Sequence, residues 1–193
     1  MPRHLLPAVL CAFIVASPST AQDREAPAPI DLITTVNTVC VAAQGDRARA
    51  AALAVEAGFS PTPPDMIPFM RNSSETVGFM RSNETDIAFV MLGKLTRRVG
   101  NRQVMMDFCG VSSRPTDHRA LNVRLRETMG FAPVRGAGFE AYAWLQTPEG
   151  RAPTRSLSDE QFIAMAETGR MRMVGVDRAG PGSTLIYFLP RLD

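Results

Sequence analysis

The sequence predicts an α+β fold: one domain with a mostly antiparallel sheet and helices mainly on one of its faces. Three observations lead there. Several helices announce themselves by a cap, an apolar stripe and a glycine stop. Between them lie apolar runs of strand length, separated by turn residues. Hairpin signals such as Gly100-Asn101 and "RAGPG" join neighbouring strands, which favours antiparallel pairing.

The elements follow in order. From Ile30 to Val41, apolar residues at Ile30, Ile33, Val36, Val39 and Cys40 suit a short helix capped by Asp31. The same β-branched residues also suit a strand. Asp46 to Ala57 is a clearer helix, rich in alanine, with Asp46 as cap and Gly58 as left-handed stop. After the proline-rich "SPTPPDMIP", strands are expected at Glu75–Arg81, Asp86–Leu92 and Gln103–Val111. "IAFVMLG" is apolar throughout, as in a strand covered on both faces. A helix spans Asp117–Met129 and stops at Gly130, and "GFEAYAWLQ" alternates like a strand. "SLSDEQFIAMAETG" carries a capping box, Ser158 with Gln161, and stops at Gly169. Strands at Met171–Asp177 and Thr184–Leu189 close the chain.

Two segments echo each other. "CVAAQGDRARAAALAVEAGFSP" and "CGVSSRPTDHRALNVRLRETMGFAP" both run cysteine, loop, aspartate cap, helix, then Gly-Phe-x-Pro. A duplicated α-β-β-β unit would explain the echo; so would two ordinary helix endings.

The N-terminus bounds the compartment. Arg3 and His4 precede an apolar run, Leu5 to Ala16, and Ser19 and Ala21 are small enough for cleavage before Gln22. Residues 1–21 therefore read as a secretory signal and 22–29 as a flexible leader, with the domain at 30–193. The run is short of the roughly 20 residues a membrane span needs. The expected location is periplasmic or secreted, with no transmembrane segment in the mature chain. The formal net charge of +2 and the lack of a long charge block argue against nucleic acid as a partner.

Candidate chemistry is sparse. Cys109 lies nine residues before His118, a spacing that invites a thiol–base pair. After signal cleavage, however, only Cys40 and Cys109 remain, and an oxidising compartment favours a disulfide between them. One mature histidine and no zinc spacing leave no metal site and no cofactor expected. The methionines could suit copper(I), but most lie among Leu, Val and Phe and read as core. "GAGFEA" (136–141) has the loose dinucleotide pattern in the wrong context, after a helix and before a strand.

The order helix, helix, three strands, helix, strand, helix, two strands resembles the acetyl-CoA-dependent N-acetyltransferases without their first strand. That resemblance implies a glycine-rich pyrophosphate loop, and Gly110 to Pro115 lacks the glycine spacing for it. The activity is not carried over.

On "FEAYAWLQ", alternation places Glu140, Tyr142, Trp144 and Gln146 on one face, a candidate contact surface. The competing reading is that a helix or loop covers both rings. Lys94, Arg97, Arg98 and Arg102 cluster at a hairpin end, able to hold an acidic ligand or lipid headgroups but also to act as a solvated turn. The functional expectation is a non-catalytic binding domain, braced by one disulfide, for an unknown protein or small molecule of the cell envelope. The alternative is a hydrolase or transferase whose acids converge only in three dimensions, and a third class is an envelope-stress or copper-handling protein.

Overall fold

The computed structural model describes residues 30–67, 72–83, 85–134, 140–154, 156–179 and 182–192. The signal and leader, Met70, most of "GAGFEA" and residues 180–181 of the last hairpin lie outside them. Eight strands among the described residues form one antiparallel sheet in the order β1-β2-β3-β4-β8-β7-β5-β6. They are β1 Ser60–Thr62, β2 Ser73–Ser82, β3 Ile87–Val99, β4 Arg102–Arg114, β5 Glu140–Thr147, β6 Gly150–Thr154, β7 Met171–Ala179 and β8 Gly182–Arg191.

The first helical segment starts as α1, Leu32–Thr35, and widens into a π-helix over Val36–Val41. Asp31 caps it by accepting from the Ile33 and Thr34 amides. The β-branched run is therefore helical, and its buried side, Val36, Val39 and Cys40, explains why: packing on the sheet outweighs a modest propensity cost. Helix α2, Arg47–Glu56, is capped by Asp46, and α3, His118–Met129, by Asp117. Helix α4, Asp159–Glu167, has its full capping box: the Ser158 hydroxyl accepts from the Gln161 amide and the Gln161 side chain accepts from the Ser158 amide.

Period-two alternation splits the core into two layers. One face of the sheet, with Val90, Leu92, Val111, Tyr142, Trp144, Leu185 and Tyr187, packs under α1, the π-helix, α2 and α3. The other, with Met91, Val104, Met106, Ala143, Met173 and Phe188, packs under α4. Both central partners, β4 and β8, are thus buried on two sides. The small Ala141 and Ala143 lie in the α4 layer with Ala166.

The sequence places the elements but not all their limits. β3 and β4 each run 13 residues and pair from Ile87↔Arg114 to Val99↔Arg102, well past the expected ends. The polar stretch Lys94–Arg98 still pairs because a continuous hairpin satisfies its backbone. β1 and β6 are unexpected; both are short edge strands containing proline, and neither has a buried stripe to announce it. Residues 110–114 continue β4 rather than forming the loop that the acetyltransferase-like order implies.

The two Gly-Phe-x-Pro segments behave alike. Gly58 and Gly130 turn left-handed at φ 84° and 72°. After Gly58, Ser60–Thr62 pairs back on β2; after Gly130, Val134 bridges back to Ala141 of β5.

Candidate functional site

A partly enclosed cavity lies under the start of α2. After the π-helix an α-helical turn continues to Ala43, and the chain then turns through Gln44 (φ 53°) and Gly45 (φ 88°) into the Asp46 cap. Gly45 is required twice over. Its φ is left-handed, and a Cβ would stand 2.8 Å from the Leu189 side chain. This tight turn brings Arg47, the first residue of α2, over the β2–β3 hairpin.

There β2 carries a bulge. Ser74 pairs with Lys94 and Val77 with Leu92, so Glu75 and Thr76 stand opposite the single Gly93. Glu75 takes φ 53°, uncommon for a residue with a side chain. Gly93 leaves room for the crowding this causes; a Cβ there would lie 2.8 Å from the Phe108 ring and 3.0 Å from the Thr76 hydroxyl. The bulge delivers the Glu75 carboxylate to two cations. Lys94 Nζ donates to its Oε1 at 2.9 Å, and Arg47 Nη1 to its Oε2 at 3.2 Å. Arg47 also donates to the Glu75 carbonyl. The hydrogen bond from Lys94 is the main reason the Glu75 carboxyl is held below its ordinary range, with the Lys94 and Arg47 charges adding to it. Lys94 is the only lysine in the chain.

Beneath this rim is a cavity of about 260 Å³. Ala43, Ala50, Leu92, Phe108 and Leu189 make its apolar wall, together with the disulfide between Cys40 and Cys109. The bond joins the π-helix to β4, with Cα atoms 5.4 Å apart. Asp107, which also lines the cavity, forms an ion pair with Arg191, its Oδ2 3.2 Å from Nε. Each of these two carboxylates is thus matched by a cation. Apolar walls with a few converging polar groups are the usual make-up of a small-molecule site.

The candidates read from sequence are distributed as follows. Cys109 is bonded to Cys40, and His118 is not its base: His118 Nδ1 instead stands 3.1 Å from the Ser183 hydroxyl. Ser183 faces Ser113 across the β4–β8 pair, and Ser113 donates to Asp86 at 2.8 Å. Ser183 is only 1 % exposed, and these bonds fasten α3 and the chain before α1 to the sheet.

Glu140, Tyr142, Trp144 and Gln146 do share one face of β5, as alternation requires. Both rings are inside: Tyr142 is 0 % and Trp144 2 % exposed. They are covered, as the competing reading has it. Phe131 meets Tyr142 edge-on at 5.9 Å, Tyr187 lies 6.3 Å from Trp144, and the Arg151 guanidinium sits 5.0 Å over the Trp144 ring. Their polar tips end on neighbours along the strand, the Tyr142 hydroxyl donating to Glu140 and the Trp144 Nε1 to Gln146. Burial pushes the Tyr142 hydroxyl above its ordinary pKa.

Among the described residues, no group of three His, Cys, Asp or Glu side chains is placed to hold a metal. Met91, Met106, Met171 and Met173 are buried in the α4 layer rather than gathered at a surface. Sequence reasoning missed Arg47, Glu75 and Asp107. The one available signal was Lys94 in the basic cluster, and only the bulge reveals what it holds. No protein-family model, curated protein or solved structure matches this chain.

Proposed function

We propose that the mature chain is an exported, non-catalytic binding domain whose ligand is a small, largely apolar molecule held under α2. The cavity itself carries the proposal: about 260 Å³ of space with apolar walls and an ion-paired rim. That is near the lower end of ligand pockets, so the occupant is small. The disulfide suits an oxidising compartment, and no described helix is long and apolar enough to cross a membrane. Glu75 and Asp107 each face a cation and Asp46 is engaged as the α2 cap, an arrangement that suits charge recognition better than proton transfer and favours binding over the hydrolase or transferase alternative.

The β5 ladder enters this proposal mainly as support for the fold. Only its ends, Glu140 and Gln146, reach the surface where an envelope partner would touch. The matching helix stops, and the mirrored arrangement β2-β3-β4 against β8-β7-β5, support reading the two halves as copies of one unit.

The test is binding of N-phenyl-1-naphthylamine, a neutral apolar fluorophore. One saturable site is expected, and Ala50→Leu should abolish it without lowering Tm, because the added side chain enters existing space. Binding that survives this filling would put the ligand elsewhere and sink the proposal.

A further inference from the structure

The basic hairpin end gains a role once its faces are sorted. Along β3, Leu92, Lys94, Thr96 and Arg98 point to the α2 side of the sheet. Register sets Thr96 beside Met105 and Met105 beside Arg191. Thr96 and Arg98 are exposed, so this face continues outward from the cavity as open, cationic sheet. Three cations therefore border the mouth, Arg47, Lys94 and Arg191, with Arg98 further out on the same face. Three acids answer them. Asp107 is taken by Arg191, and Asp46 is turned to the Arg49 amide at the start of α2. The third, Glu75, occupies the seat between Lys94 and Arg47.

That seat is the informative feature. Two cations from separate elements converge on one carboxylate at the lip of an apolar cavity. The carboxylate belongs to the protein only because a bulge holds Glu75 in a left-handed conformation. We infer that the cavity takes a single-chain carboxylate amphiphile, its hydrocarbon among Ala50, Leu92, Phe108 and Leu189 and its head displacing Glu75 between Lys94 and Arg47. Glu75 is then a resident competitor that keeps both cations paired while the site is empty. The cavity's size limits the tail to one chain. The inference rests on the ligand-binding reading above and adds the chemical class.

The experiment is displacement of bound N-phenyl-1-naphthylamine by decanoate, decanol and decyltrimethylammonium, each in its monomeric range. Decanoate should displace the probe at about one-third the concentration decanol needs, because its head takes over exposed contacts that Glu75 already makes. Decyltrimethylammonium should be the weakest. The preference for decanoate over decanol should widen in Glu75→Gln, which removes the competing charge, and collapse in Lys94→Gln. Equal potency of decanoate and decanol would overturn the anionic head while leaving the cavity reading in place. A Glu75→Gln variant with the wild-type preference would overturn the competitor role. Failure of the neutral probe to bind at all would overturn both readings together.

Discussion

Helices α2 and α3 leave the sheet in the same way and rest on different ground. Each begins at an aspartate cap, stops at a left-handed glycine and returns a short extended segment to the sheet edge side of its unit. Under the middle of α3 the packing is close. Leu121 and Leu125 belong to one buried cluster with Tyr142, Trp144 and Val174, and the gap between Leu125 and Trp144 is about 20 Å³; the open depression of about 430 Å³ lies beyond, at Gly130–Pro133. Under α2 the helix presents Ala50 and Ala54, and about 260 Å³ stays empty beside Leu92 and the disulfide. The same helix frame is thus a core in one corner and a container in the other, and side-chain volume makes the difference. Close packing is the rule in protein interiors, so the hollow corner is the one that needs a functional explanation.

The harshest way to break this comparison is to empty the full corner. Tyr142→Ser with Trp144→Ser removes two buried rings. Losses of roughly 3–5 kcal/mol are usual for one such ring, and a domain has only about 5–15 kcal/mol in hand. The double variant should show no cooperative thermal transition by circular dichroism. An intact melting curve would mean the rings are dispensable to the fold, and would return them to the role of a contact surface.

A smaller effect is expected where the container meets its brace. The Cys40–Cys109 bond closes 69 residues of chain. Chain entropy for such a loop is worth about 4 kcal/mol. Cys40→Ala with Cys109→Ala should lower the urea midpoint accordingly, and it should weaken the neutral probe as well, since the bond is part of the cavity wall. The corresponding loss would not accompany Ala50→Leu, which fills the container and leaves the brace. If the cysteine-free protein unfolds at the wild-type midpoint, packing alone holds the α2 corner together.

Much of the frame was legible in the sequence, and the reason is local. Asp31, Asp46, Asp117 and Ser158 act as the caps that their positions suggest, because capping needs only neighbouring amides. Alternation placed Tyr142 and Trp144 on one face correctly, since period two is a property of the strand alone. It could not say what lay over that face, because the cover is assembled from separate segments: Phe131 after α3, Arg151 of β6 and, from far earlier in the chain, Ile33 and Val36. The disulfide followed from counting cysteines. The cavity had no such route. It depends on a bulge at Glu75, which no single residue type demands, and on Ala50 standing where a larger side chain would have closed it. Lys94 was visible as a basic residue, but its partner is 19 positions away across a hairpin. β1 and β6 escaped notice because edge strands need no apolar stripe.

The mildest perturbation concerns the link from α1 to the full corner. Asp31 caps α1 and also takes a hydrogen bond from Arg124 of α3. Burial tends to raise its pKa, but the Arg124 hydrogen bond and charge and the Ile33 and Thr34 amides outweigh it, so the carboxyl is held below its ordinary value. A carboxylate depressed in the folded state stabilises that state above its unfolded pKa. The contribution is lost as pH falls through the lower folded value. Asp31→Asn keeps a good cap and removes only the charge facing Arg124. At neutral pH the variant should melt slightly below wild type, by no more than about 1 kcal/mol for a pair this exposed. The gap should close as pH drops below the ordinary carboxylate range, and added salt should narrow it at neutral pH. A gap that persists unchanged into acid would mean that the amide bonds alone hold α1, and that the full corner does not depend on this pin.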